Sequence, residues 1–166
     1  MMLTTSFSAA FLTAWMTASH NPSLPWQPDY PTAVKRAVEE KKPLAVFIGH
    51  GKSGKDNVDA ELGQGTKEAK TLAESYVSLY IDADTEAGKK LAVSFEISEG
   101  VVISNRTGDL QAVRHEGTVT KTELSDYLNR YAEPTRVVTT TEYGGRLRRP
   151  IINTIQTVTS FLSSST

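Results

Sequence analysis

Two short runs of apolar, β-prone residues, separated by a helical pattern, constrain the fold of this chain most strongly. The first run covers residues 43–48 and the second covers residues 76–82. Such continuous runs are typical of strands that are buried on both faces, in sheets that helices cover on both sides. Strands separated by a helix are joined by a crossover connection, so we expect these two strands to lie parallel in one sheet.

The other elements complete an α/β order. Apolar spacing predicts helices over residues 32–42, 66–75 and 85–95, with Gly63 and Gly65 interrupting a longer helical stretch. A third strand is predicted over residues 101–104, and turn residues after it predict a hairpin return over 110–115. Thr120 and Glu123 have the spacing of a capping box, which starts a last helix that runs to Tyr131. The order α-β-α-β-α-β-β-α predicts a three-layer α/β fold with a mixed four-stranded sheet, three strands parallel and the last antiparallel.

The segment before the domain has two readings. Residues 7–16 form an apolar run followed by small residues, which is typical of a weak export signal and equally of a short N-terminal helix in residues 1–20. The compartment is therefore open between exported or periplasmic and cytoplasmic. Four prolines in residues 21–31 indicate an extended linker. The domain itself is expected over residues 32–133.

The segment after the domain, residues 134–166, is basic, with four arginines and one glutamate. Its residues 150–163 have the apolar stripe of an amphipathic helix beside the basic run 144–149. This pattern indicates contact with a partner groove or a membrane surface, or else a segment that folds back on its own domain or stays disordered. The net charge of the whole chain is -1, so composition gives no reason to expect nucleic-acid binding.

The chain has no cysteine, so it has no thiolate for disulfide exchange or metal binding. Three strings nevertheless resemble the thioredoxin superfamily in their order. They are KKPLAVFIG at residues 41–49, YVSLYIDADTEAGKKLAVSFEIS at 76–98 and VVISNRTGDLQAVRHEG at 101–117. The resemblance covers residues 30–133 and implies a thioredoxin-like fold.

The resemblance also shows what is missing. The family carries a Cys-x-x-Cys pair after its first core strand, where this chain has Lys52 and Lys55, and a cis-proline before its third strand. The matching residues 98–101 contain no proline, and none occurs between Pro43 and Pro134. The resemblance therefore implies a thioredoxin-like domain that has lost redox function and serves as a protein-binding or scaffold module. No catalytic residue and no cofactor are expected.

The binding surface is expected at the end of the sheet that carries the old active site. It combines the loop of residues 49–56, the turn of residues 98–100 and the turn around Gly117, because loops at the carboxyl ends of parallel strands commonly bind ligands. The candidate binding residues are His50, Lys52, Ser53, Lys55, Glu99 and Gly100.

Residues 49–56 also support an alternative function. Their sequence, GHGKSGKD, nearly matches a phosphate-binding loop, but Asp56 stands where a Ser or Thr would bind magnesium. The loop is therefore interpreted as a solvated turn. The alternatives are weak anion or phosphate binding, and an enzyme with non-redox chemistry built on Lys52, Lys55 and His50.

Other titratable residues are expected to have structural roles. No spacing of histidines and carboxylates predicts a metal site. His115 is expected to be exposed at a strand end. Asp82, Asp84 and Glu86 are expected to cap helices, with Asp84 starting the helix of residues 85–95.

Overall fold

The computed structural model describes residues 24–63, 65–133 and 135–145. The expected N-terminal segment of residues 1–20 and the expected amphipathic helix of residues 150–163 lie outside these ranges. Within the described residues strands alternate with helices, apart from one pair of consecutive helices and one pair of consecutive strands. The helices are α1 (Tyr30–Glu40), α2 (Gly51–Leu62), α3 (Lys67–Ser75), α4 (Glu86–Phe95) and α5 (Lys121–Tyr131). The strands are β1 (Trp26–Gln27), β2 (Leu44–Gly49), β3 (Val77–Asp82), β4 (Gly100–Ser104), β5 (Gln111–Glu116) and β6 (Glu142–Gly145).

All six strands form one mixed sheet in the order β1-β3-β2-β4-β5-β6. β2 and β3 pair in parallel, with Leu44 beside Val77, as their apolar runs predict. β4 is antiparallel to both β2 and β5. The expectation that the third predicted strand runs parallel was therefore wrong. Apolar periodicity identifies an element but carries no information about its direction, and the chain after α4 returns to the edge where β3 ended.

The predicted number of four strands was also wrong, because both flanking segments add an edge strand. β1 lies in the expected linker of residues 21–31 and pairs in parallel with β3, with Trp26 beside Ser78. β6 lies in the expected tail and pairs in parallel with β5, with Gly145 beside Glu116. A two-residue strand has no readable periodicity, and the glycines of β6 are typical of a flexible turn.

The sheet has an apolar layer on each face. Alternation along β2 sends Ala45 and Phe47 to one face, where they pack with Leu62, Leu72 and Leu124 of α2, α3 and α5. Its other residues, Leu44, Val46 and Ile48, pack on the opposite face with side chains of α1 and α4. The fold is therefore three-layered, as expected, with helices on both sides of the sheet.

Side-chain caps set the helix starts. Asp29 accepts a hydrogen bond from the Thr32 amide at 2.8 Å, so α1 begins at Tyr30, two residues before the predicted start. The cap of α4 is Thr85, which corrects the expectation for Asp84. Thr120 and Glu123 form the predicted capping box of α5. Gly63 ends α2, as its interrupting role predicted. No helix of the described ranges is both long and apolar enough to cross a membrane.

Candidate functional site

Three segments meet at one edge of the sheet because of the strand directions. β2 ends there at Gly49, and β5 ends there at Glu116 before the turn at Gly117. β4 runs the other way and begins there, so Gly100 lies beside both Ile48 and Glu116. The end of β2, the start of β4 and the turn after β5 are the three places at which the sequence predicts a binding surface.

A cavity of about 570 Å³ opens between these segments and α2. We call it the sheet-edge groove. It is lined by the ends of β2 and β4, by residues 117–121 and by one side of α2 from Asn57 to Leu62. Its floor is apolar, with Phe47, Val101 and Leu124 contributing side chains from the core. The volume is within the usual range of protein ligand sites.

The six predicted site residues divide between the groove and a neighbouring surface. Glu99 and Gly100 line the groove, whereas His50, Lys52, Ser53 and Lys55 do not. Gly100 is buried, and a Cβ placed on it would collide with the His115 carbonyl. Gly100 therefore allows β4 and β5 to approach each other closely. The side chain of this turn that can contact a ligand is that of Glu99, which is exposed.

The predicted loop of residues 49–56 is mostly helix. α2 begins at Gly51, and the Gly54 amide donates to the His50 carbonyl at 3.1 Å, so the interpretation as a solvated turn was wrong. Gly51 has a φ of 61°, which favours glycine, and this conformation lets the helix follow directly on β2. Glycines in the sequence pattern indicated a loop because they disfavour helix interiors, but here Gly51 starts the helix.

A carboxylate of the protein itself occupies the start of α2. Asp82 Oδ1 accepts hydrogen bonds from the amides of Asp84 at 2.9 Å and Gly51 at 2.8 Å. These two amides, the Asp84 amide foremost, lower the pKa of Asp82. Asp82 therefore occupies the Gly51 amide, one of the amides through which a helix start attracts an anion.

His50 lies exposed beside this position. Its Nδ1 is 2.9 Å from Asp84 Oδ1, and 56% of the His50 side chain is exposed. The hydrogen bond to Asp84 and then the Asp84 charge raise the pKa of His50, with smaller contributions from Glu99 and Asp82. Asp82 and Asp84 thus bind the start of α2, which fits the structural role expected for this acidic group.

Lys52 and Lys55 are not part of the groove lining. Lys52 and Ser53 are exposed on the first turn of α2. The Lys55 ammonium lies 5.9 Å from the centre of the Trp26 ring, a cation–π contact. Trp26 in turn donates its indole N–H to Asp59 Oδ1 at 2.8 Å. Lys55 and Asp59 thereby attach the edge strand β1 to α2.

His115 is buried, which corrects the expectation of an exposed strand-end residue. Only 1% of it is exposed, because β6 covers the strand on which it lies. Its Nε2 is 3.3 Å from the Thr118 carbonyl and its Nδ1 is 3.2 Å from the Tyr127 hydroxyl. A carbonyl can only accept, so Nε2 donates to Thr118, and in a neutral ring Nδ1 then accepts from the Tyr127 hydroxyl. His115 therefore holds the groove wall at Thr118 against α5.

The groove also contains residues that the sequence reasoning missed. Glu68 and Lys121 lie 3.9 Å apart, Glu68 Oε2 to Lys121 Nζ, across the contact between α3 and α5. Glu61 and Asn57 line the groove from α2. The sequence signal that could have located Lys121 is the capping box at Thr120, which places Lys121 at the start of a helix. No pattern in the sequence brings Glu68 to that position, because its contact spans two separate helices.

The described ranges contain no group of three or more potential metal ligands among His, Asp and Glu. Comparison with known proteins found no matching family model and no matching curated protein.

Proposed function

We propose that this chain is a thioredoxin-like domain without redox chemistry, and that it binds a protein partner through the sheet-edge groove. The observation that carries the proposal is the convergence of three separate turns on one apolar-floored cavity at the carboxyl ends of β2 and β5. This is the position at which open α/β sheets commonly bind ligands.

The element order supports the thioredoxin-like part of the proposal. From α1 to α5, the chain follows the order on which the resemblance rests, with the helical stretch after β2 divided into α2 and α3. The first two core strands, β2 and β3, are neighbours over their full length. The absence of cysteine leaves the chain without the sulfur nucleophile that exchange with a disulfide requires.

The alternative, anion binding or non-redox catalysis at residues 49–56, has less support. Asp82 holds the Gly51 amide, Asp84 pairs with His50, and Lys55 lies over Trp26. Three groups that would attract an anion thus have an internal partner, whereas Lys52 is exposed on the helix surface. The experiment described next distinguishes this alternative from binding in the sheet-edge groove.

The experiment is a selection from a displayed library of random peptides with the immobilised full chain. The groove is blocked in two independent variants, Asn57→Trp on the α2 side and Thr118→Trp on the opposite wall. Both residues are exposed and line the groove, so an indole there fills the cavity without entering the core. The matched control is Lys52→Ala/Lys55→Ala, which removes both lysines outside the groove. Circular dichroism and thermal unfolding verify that each variant is folded.

We expect peptides that bind the wild type and the lysine variant equally and that lose binding to both tryptophan variants. Recovery of peptides that bind all four proteins alike would contradict a groove site. Loss of binding in the lysine variant alone would instead place the site on the first turn of α2.

A further inference from the structure

Glu68 is a carboxylate held inside the wall of the sheet-edge groove. Only 9% of its side chain is exposed, and it lies in the first turn of α3. Among the described residues its one cationic contact is Lys121 Nζ at 3.9 Å, and none donates a hydrogen bond to it. Lys121 is itself 65% exposed, so this pair is long and open to solvent. The Glu68 oxygens are not among the fully buried side-chain atoms that lack a partner, so they remain open to donors from a ligand in the groove.

Most of the charged residues that line the groove with Glu68 are acidic. Glu61 and Glu99 also line the groove, and Lys121 is the one basic residue among its described lining residues. The lining as a whole therefore attracts a positive group, and Glu68, whose side chain is only 9% exposed, is the least exposed acidic side chain available to pair with that group. Opposite charges pair more strongly at such a buried position than at an exposed rim.

The floor adds an apolar requirement. Phe47, Val101 and Leu124 lie beneath the acidic walls, and they belong to the main apolar cluster of that face of the sheet. A ligand that only carried charge would leave this floor in contact with water. A ligand with an aliphatic side chain next to its cationic one satisfies both features.

We propose, on the basis of the function proposed above, that the groove accepts a basic linear segment of a partner protein. In that segment, an arginine or lysine side chain reaches Glu68 and a neighbouring aliphatic side chain packs on the apolar floor. Arginine suits the site best because its planar guanidinium can donate two hydrogen bonds to one carboxylate.

The test determines the sequences of the peptides from the display selection and measures their affinities. Wild type and Glu68→Gln are compared as full chains, with Glu74→Gln as the matched control. Glu74 lies on the same helix α3 but is exposed and outside the groove lining. Glutamine keeps the size of the side chain, so the difference isolates the charge. A synthetic copy of the best arginine-containing peptide, and a copy with citrulline in place of arginine, are titrated against each protein.

We expect wild-type peptides to be enriched in an arginine or lysine next to a Leu, Ile or Val. Glu68→Gln should weaken the arginine peptide by about tenfold or more, and Glu74→Gln should leave its affinity unchanged. The citrulline peptide should bind wild type and Glu68→Gln alike. Groove-dependent peptides without this enrichment, or equal binding by Glu68→Gln, would overturn the proposed chemistry and leave the groove site standing. Absence of any groove-dependent peptide would instead overturn the proposed function itself.

A further arm tests whether the chain supplies its own basic segment. Arg146, Arg148 and Arg149 follow β6, which ends beside Glu116 at the same edge of the sheet. The full-length variant Arg146→Ser/Arg148→Ser/Arg149→Ser removes these charges. Unchanged affinity for the arginine peptide supports a partner segment. A tenfold gain in affinity would identify the chain's own arginines as the occupant and overturn binding of a partner segment.

Discussion

At the scale of single residues, glycines and one histidine determine how closely the last strands pack. Gly144 of β6 lies directly over His115 and Tyr127, so that a Cβ there would overlap the Tyr127 hydroxyl and the His115 ring. His115 connects this contact to Thr118 in the groove wall. The shape of the groove therefore depends on an edge strand that is not part of its lining.

Replacement of Gly144 by alanine tests this packing. We expect Gly144→Ala to lower the free energy of unfolding by about 1–3 kcal/mol, because the added methyl group is forced into a filled site. Urea unfolding followed by circular dichroism measures the change. Thr139→Ala, an exposed change in the connection before β6, is the control and should alter stability by no more than about 0.5 kcal/mol. Equal stability of the two variants would contradict the close contact with His115.

The pair of His50 and Asp84 predicts a pH dependence. The hydrogen bond raises the folded-state pKa of His50 above its ordinary value of 6.5. The contribution of the pair to stability is therefore fully present below pH 6.5 and is lost as the pH rises through the higher folded-state value. We expect Asp84→Asn to be less stable than wild type at acidic pH and to approach it at alkaline pH.

Nuclear magnetic resonance titration of the His50 ring measures the same effect directly. The pKa should fall markedly in Asp84→Asn and fall less in Glu99→Gln, because Glu99 acts on His50 only through its charge. A His50 pKa that is unchanged in Asp84→Asn would contradict the pair.

At the scale of elements, local signals in the sequence located most helices and strands. The apolar runs of β2 and β3 and the turn chemistry between β4 and β5 act within a few residues, so the sequence pattern alone reveals them. The edge strands β1 and β6 and the direction of β4 depend on pairing with distant residues. The two edge strands and the direction of β4 are therefore set by tertiary contacts, which the local periodicity of the sequence does not reveal.

The capping box of α5 is the element-scale signal that also bears on the site. Thr120 accepts from the Glu123 amide, and Glu123 accepts from the Thr120 amide at 3.0 Å. We expect Thr120→Ala to lower the free energy of unfolding by about 1 kcal/mol, because the first turn of α5 loses a partner for its amide. Chemical denaturation measures it, with the exposed Thr122→Ala on the same turn as the control. A larger loss in Thr122→Ala than in Thr120→Ala would contradict the cap.

At the scale of the whole molecule, the strand directions bring together what the chain separates. Glu99 and Gly117 come from two different turns and Glu68 comes from the first turn of α3, yet all three line one cavity, because β4 begins, β5 ends and α3 begins beside it. The sequence located two of these places by the general rule for α/β sheets. The sequence did not locate Glu68. It also grouped the α2 lysines with the groove, because residues 49–56 were interpreted as a loop, whose side chains can face any direction. In the helix that forms instead, the direction of each side chain is set by its position on the turn.

The absence of thiols predicts the behaviour of the whole chain toward disulfides. In an insulin-reduction assay with dithiothreitol, we expect the full-length protein to leave the rate at the level of buffer alone, because it cannot form a mixed disulfide. A cysteine-containing thioredoxin is the positive control. A rate clearly above the buffer rate would contradict the assignment of a domain without redox chemistry.

The most direct test of the sheet-edge groove as a binding site is a map of amide resonances in the isotope-labelled full chain, titrated with a selected peptide. We expect the shift changes to concentrate in residues 99–101 and 117–121 and on α2 between Asn57 and Leu62, and we expect Lys52 and Ser53 to change little. Changes concentrated on α1 and α4, on the opposite face of the sheet, would contradict binding in the groove.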